Sequence, residues 1–290
     1  MTRKRFALRL RSGALSLGER TLLMGVLNVT PDSFSDGGKF FLPQRAVAHA
    51  LALEHDGADL LDIGAESTRP GAAGISAAEE LRRLLPVLEM LRGKLKIPIS
   101  IDTQKSAVAE MALGAGAQII NDVSGLRGDP RLADVAAKYK APLILTHMRG
   151  NPGTMQRAPF ARNVLQEVST GLRRSAALAR KAGVAKSQIV IDPGIGFGKS
   201  FSQNYELLAR LPELATLGFP ILVGSSRKGF LGKTLGKNGQ PAPAEQRLWG
   251  TAATVAVTIL NGAHIVRIHD VAEMAQVARV TDQILTSSPP

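Results

Sequence analysis

The sequence predicts an α/β chain folded as a single (β/α)8 TIM barrel behind a short β-hairpin. Eight apolar runs carry that prediction: LLMGVLN, LLDIG, IPISID, QIIND, PLILTH, IVID, PILVGS and HIVRIH. They are nearly continuous in aliphatics, which marks strands covered on both faces; a strand with one wet face alternates instead. Each run closes near a polar or charged residue, in order Asn28, Asp62, Asp102, Asn121, His147, Asp192, Ser226 and His269. Every gap between runs is long enough for a helix. When eight strand-helix units close on themselves, each strand directs its C-terminal end to one rim, so these polar residues are expected to converge on one basin.

Ahead of the barrel, Phe6, Leu8 and Leu10 recur with period two, Ser12-Gly13 turns the chain, and Leu15 and Leu17 follow. This reads as a hairpin over residues 1–20 covering the barrel floor, with residues 21–290 as the barrel. After the first strand, a helix is expected from Pro43, well suited to a helix start, to Asp56. After the second, Ser76 and Glu79 read as a capping box opening a helix to Leu91. Further helices are expected at Lys105 to Gly114, Pro130 to Tyr139, Ala161 to Ala182, Gln203 to Thr216, Ala244 to Leu260 and Asp270 to Leu285. LGKNGQPAPAEQ is rich in Gly, Pro and polar residues and reads as a surface loop.

The 290 residues suit one barrel and leave little for a second core. With no cysteine, disulfides and thiolate catalysis are excluded, and a metal would need oxygen or imidazole ligands. The N-terminal segment has no uninterrupted apolar core of signal-peptide length and no later window approaches a membrane span, so a cytoplasmic protein is expected. The net charge of +12 raises the possibility of nucleic-acid binding. Against it, one Trp and two Tyr are few for base stacking, and the positive charge is spread along helical segments without a dense block. Such a field also steers small anions to a rim.

Chemistry-bearing residues cluster after the strands. LNVTPDSFSDGGKF crowds Asn28, Thr30, Asp32, Ser33, Ser35 and Asp36 around Phe34, as a polar turn also would. Asn28, closing an apolar strand, would point its amide into the rim, where an amide oxygen suits Mg²⁺ shared with a substrate phosphate. GAESTRPGA carries Thr68 and Arg69 before Pro70; an arginine so fixed can clamp an anion, and the Gly/Pro punctuation lets the loop hinge. Asp102, Asn121 and Asp192 end three strands and Lys228 follows a fourth. An internal salt-bridge network would account for some of them. Together they also match a flat heterocycle with amino and carbonyl edges, since carboxylates accept from ring N–H groups and Lys228 donates. DPGIGFGKS lacks P-loop spacing; its glycines suit close backbone approach to a ring with Phe197 as an apolar wall. In RIHD, Arg267 and His269 alternate on one side of a strand and are expected to reach one anion.

These residues lie in GVLNVTPDSFSDGG, ESTRPGA, SIDT, IINDVSG, HMRGNPGTMQ, DPGIGFGK, SRK and RIHD, which in this order resemble the dihydropteroate synthase family from about residue 24 to 270. The resemblance implies transfer of a hydroxymethyl-dihydropterin from its pyrophosphate to para-aminobenzoate, with Mg²⁺. It implies that Asp102, Asn121, Asp192 and Lys228 hold the pterin and that Arg267 stacks on its ring. Arg267 and His269, with Asn28 and the metal, would bind pyrophosphate. Phe34, Asp36, Thr68, Arg69 and Pro70 would close over the site and, with Phe197, shape the para-aminobenzoate slot. A homodimer is implied as well.

Two positions depart from the family pattern: Gly229 stands where a serine usually follows the SRK lysine, and Ala65 where a second glycine usually precedes ESTRP. Loss of a serine donor implies weaker para-aminobenzoate binding. Two other classes compete. A methyltetrahydrofolate methyltransferase-type barrel would share Asp102, Asn121 and Asp192 but has no use for SRK and RIHD, and a non-catalytic pterin-binding paralogue would have lost catalytic positions, of which only Gly229 has drifted in this chain.

Overall fold

Alternation within each apolar run decides which side chains enter the barrel and which face the helices. The computed structural model describes residues 3–30, 43–67, 71–72, 74–151, 153–155 and 161–287. β1 (Phe6–Leu10) and β2 (Gly13–Leu17) pair antiparallel. β3 (Leu22–Asn28), β4 (Leu60–Gly64), β5 (Ile99–Asp102), β6 (Ile119–Asp122), β7 (Leu143–Thr146), β8 (Ile189–Asp192), β9 (Leu222–Val223) and β10 (Ile265–Ile268) form one sheet in the order β8-β7-β6-β5-β4-β3-β10-β9. Every pairing within it is parallel, and a parallel bridge between Ile191 and Ile221 joins the last edge to the first. The sheet is thus an eight-stranded barrel.

Outside it lie α1 (Pro43–His55), α2 (Ala77–Leu91), α3 (Ser106–Gly114), α4 (Leu132–Tyr139), α5 (Val164–Lys181), α6 (Phe201–Ala209), α7 (Leu211–Leu214), α8 (Gly229–Leu235), α9 (Leu248–Leu260) and α10 (Val271–Ser287). The pattern places most of them within a few residues. Two expected helices break: Gln203 to Thr216 interrupts at Arg210, with Pro212 opening α7, and Ala244 to Leu260 begins as a short 3-10 turn before α9. Ser76 accepts from the Glu79 amide at 3.2 Å, but the Glu79 carboxylate bonds Arg82 and Arg83, so the reciprocal half of the expected capping box is missing. A complete capping box forms at Ser200 and Gln203, and α8 is a helix the pattern does not announce.

Inward positions divide by height. At the N-terminal end, Leu22, Met24, Leu60, Ile119, Ile144, Val190, Leu222 and Ile265 make one buried cluster, plugged from below by Leu8 and Leu17 of the hairpin. Each such side chain contributes roughly 1.5–3 kcal/mol of burial. Polar contacts pin the hairpin's base: Arg3 pairs with Asp282 and donates to Thr21 Oγ1 and the Ala263 carbonyl, and His264 bridges the Ile221 amide and the Lys4 carbonyl. The alternate residues of the same strands pack the outer core against the helices.

Candidate active site

Two residues further along each strand, the inward face turns polar. Asp62 on β4, Asp102 on β5 and Asp192 on β8 are all buried, and buried carboxylates persist only with compensating partners. Arg267 supplies one: its Nε–H donates to Asp62 Oδ2 at 2.6 Å and its Nη2–H to Asp102 Oδ2 at 3.0 Å. Asn121 donates its Nδ2–H to the same Asp62 oxygen at 2.9 Å. Asp192 accepts the Gly194 amide at 2.7 Å. The ammonium of Lys228 donates to the Ile195 carbonyl and lies 4.4 Å from the centroid of the Phe197 ring. A Cβ at Gly196, where φ is +86°, would come 3.0 Å from Lys228 Cδ, so glycine there leaves room for the lysine stem.

Burial pushes the Asp102 carboxyl up to about 7 against the pull of Arg267, with Asp62 adding to the rise. Asp192 is also raised by burial, and Lys228 opposes the shift. Burial brings Lys228 itself down to about 8, with Asp192 holding it up. A carboxyl and an ammonium whose ionisation both fall near neutrality can exchange protons with a bound heterocycle. Four buried polar atoms on the inward face of β4 to β7 have no hydrogen-bond partner among the described residues: Asp62 Oδ1, Ser100 Oγ, Asn121 Oδ1 and Thr146 Oγ1. Well-folded interiors rarely leave such atoms unmatched away from functional sites.

The structure therefore brings Asp102, Asn121, Asp192, Lys228, Phe197 and Arg267 to one end of the barrel. Arg267 and His269 both stand at this end of the barrel, each with protein partners of its own. The guanidinium turns inward to the two carboxylates, which outcompete solvent for it, while His269 Nδ1 lies 3.0 Å from Ser226 Oγ. Asn28 closes β3 beside Gly64 and is half-buried. Gly229 is exposed at the first turn of α8, directly after Lys228. Phe34, Asp36, Thr68, Arg69 and Pro70 lie outside the described residues. Among the described residues no three His, Asp or Glu side chains gather to cage a metal.

Two strand-end residues behave differently from expectation. Asp62 sits mid-strand, one pleat below the rim, because it shares the inward face of β4 with Leu60 and Gly64. His147 turns away from the basin towards α5, where a Cβ on Gly171 would come 2.5 Å from its ring. There it meets Lys199, which sequence pattern does not single out. Lys199 is 3% exposed, and its ammonium reaches the His147 carbonyl at 2.7 Å, the Phe197 carbonyl at 3.0 Å and His147 Nδ1 at 3.0 Å. Burial, and then Lys199, hold His147 down at about 2, so its imidazole is neutral and can accept that bond. The lysine ties down the loop that carries Phe197. Its only sequence signal was its place in DPGIGFGKS.

Residues 24–269 match the family model described as pterin binding enzyme. A dihydropteroate synthase from Synechocystis sp. is 51% identical over 267 residues, covering 92% of this chain and 91% of the relative. The structure of Xanthomonas albilineans dihydropteroate synthase with 4-aminobenzoic acid superposes with a TM-score of 0.89 at 43% identity, covering 99% of this chain and all of that one. That of the Yersinia pestis dihydropteroate synthase in a sulfonamide drug complex gives 0.90 at 39% identity, covering 98% of this chain. The chain belongs to the pterin binding enzyme family.

Proposed function

We propose that the chain condenses hydroxymethyl-dihydropterin pyrophosphate with para-aminobenzoate to give dihydropteroate and pyrophosphate, the activity named for its relatives. It is a transferase of folate biosynthesis. The observation that carries this reading is the buried polar end of the barrel, where Asp102, Asn121, Asp192, Lys228 and Arg267 offer acceptors and donors to a flat ring. Asp102 and Asp192 take ring N–H groups, Lys228 donates to a ring carbonyl or nitrogen, and Arg267 exchanges its bond to Asp102 for the face of the ring. Departure of pyrophosphate leaves positive charge on the pterin methylene, which these carboxylates offset, and negative charge on the leaving group, which Arg267 and His269 neutralise. The arylamine then attacks without a protein nucleophile. Phe197 walls its slot and Gly229 lies beside the substrate carboxylate; substrate contact is also the role this reading gives to Phe34, Asp36, Thr68, Arg69 and Pro70, which lie outside the described residues.

Mg²⁺ is the cofactor this reading calls for. Asn28 would give one hard oxygen ligand at the rim, the remainder coming from substrate phosphate and water, which fits a metal shared with substrate better than one caged by protein. When bound it supplies charge neutralisation to the pyrophosphate. Sulfonamides would compete for the para-aminobenzoate slot. A homodimer is favoured by the apolar side chains that the contacting helices α9 and α10 leave exposed, Trp249 at 79% together with Val257, Leu260 and Val280. No helix among the described residues is long and apolar enough to cross a membrane, and we place the chain in the cytoplasm without nucleic-acid partners. The test is pyrophosphate release from the pterin substrate with Mg²⁺, with and without para-aminobenzoate, alongside detection of dihydropteroate. Release coupled to product is expected; pterin binding without product would reduce the chain to a pterin-binding protein.

A further inference from the structure

Asp62 belongs to none of the roles above, yet it holds two of the residues that do. It is 0% exposed, and its Oδ2 accepts both Arg267 Nε–H and Asn121 Nδ2–H. Toward these two N–H donors the carboxylate oxygen can only accept. Asparagine can present either end of its amide to a ligand, but beside Asp62 only the –NH2 end can face the carboxylate. Asp62 lies one pleat below the rim and Asn121 pairs with Asp102 at the rim itself. The amide nitrogen therefore points down into the barrel and the oxygen, at the other corner of the same plane, points towards the rim. That oxygen, Asn121 Oδ1, is buried and has no partner among the described residues.

We propose that Asp62 is a positioning residue that fixes the hydrogen-bonding sense of Asn121, so that the site requires an N–H donor on the ring edge meeting that residue. An aminated edge satisfies Asn121 Oδ1; an oxo-substituted edge sets two acceptors against each other and leaves the buried oxygen unmatched. The specificity for an amino-pteridine over its oxo counterpart thus comes in part from a carboxylate that never touches the ring. The inference rests on the reading of this end of the barrel as a pteridine site.

The experiment compares the binding of a 2-amino-4-oxopteridine and its 2,4-dioxo counterpart to the wild-type protein and to Asp62→Asn by calorimetry. An introduced amide at position 62 can still accept from Arg267 while its own N–H groups allow Asn121 to turn over. The wild type should prefer the aminated ring by about tenfold or more, and in Asp62→Asn that ratio should collapse, with the dioxo ring losing little or gaining. If both rings weaken by the same factor and the ratio survives, Asp62 is merely structural and the inference is wrong. Equal binding of the two rings by the wild type overturns it as well. A wild-type protein that binds neither ring overturns the functional reading, and this inference with it. Should Asp62→Asn not fold, the Asn121 side-chain amide is followed by NMR in wild-type protein with labelled asparagine. A slowly exchanging proton that keeps its shift when the amino-pteridine is added supports the inference, and loss of that protection overturns it.

Discussion

The floor and the rim of this barrel are built by the same strands, two residues apart, under opposite rules. At the floor, Leu60, Ile119, Ile144, Val190 and Ile265 fill the interior with aliphatic side chains, and Leu8 and Leu17 seal it. One step up, the matching positions are polar: Asp62, still one pleat below the rim, and Asn121, Thr146, Asp192 and Arg267; Asp62 Oδ1, Asn121 Oδ1 and Thr146 Oγ1 have no hydrogen-bond partner among the described residues. The floor gains from burial and contributes stability. The rim holds charges that burial disfavours, a cost that the proposed pterin site accounts for. Substitutions at the floor should therefore alter folding, and substitutions at the rim should alter function.

The sharpest break is a charge at the floor. Ile144→Asp places a carboxylate in a cluster of aliphatic side chains, and should cost at least about 4 kcal/mol. Denaturant unfolding measures it; a loss under about 1 kcal/mol would mean that water reaches the floor. At the rim, Asp102→Asn should lower turnover by about a hundredfold or more, while leaving the protein as stable or more so above pH 7. The sign follows from the raised carboxyl. Asp102 moves from 3.8 to about 7 on folding, so its contribution to stability is present below pH 3.8 and is lost as pH rises through about 7. An amide does not ionise, so the variant should lack that decline when stability is measured from pH 4 to 8.

A third prediction uses the two rim groups that titrate near neutrality. Pterin affinity should rise as Asp102 ionises around pH 7 and fall above about pH 8 as Lys228 loses its proton. Lys228→Arg keeps the positive charge at high pH, so the alkaline limb should move upward by more than one pH unit. An unmoved limb would assign it to another group. The smallest effect is expected at Gly229. A Cβ there would meet nothing within 4 Å, and the backbone is not in the left-handed region, so Gly229→Ser should fold without strain. The added hydroxyl should tighten para-aminobenzoate binding by about 0.5–1.5 kcal/mol. Unchanged affinities for para-aminobenzoate and for sulfonamides would show that the hydroxyl makes no contact.

Much of this contrast is written in the sequence. Continuous aliphatic runs announce a barrel, and their polar ends announce Asp102, Asn121 and Asp192, because a carboxylate at the end of a buried strand is too costly to be packing alone. Height within the barrel is less legible. Asp62 reads as a strand end, and only its parity with Leu60 and Gly64 places it inside and below the rim. His147 reads as a basin residue, yet the close approach of Gly171 gives its ring a place against α5. Lys199 and Arg267 depend on partners brought from distant strands and loops, so no local pattern could state where their charges go. Arg267 alternates with His269 as read, but its bonds to Asp62 and Asp102 come from strands distant in sequence.

The most direct measurement is a calorimetric titration of hydroxymethyl-dihydropterin pyrophosphate into the wild type and Asp192→Asn, with thermal unfolding recorded for both. If the rim is built for recognition, the wild type binds, the variant binds about tenfold or more weakly, and the two unfold at similar temperatures. Equal affinity in the two proteins would contradict the assignment of the buried carboxylates to the pterin ring.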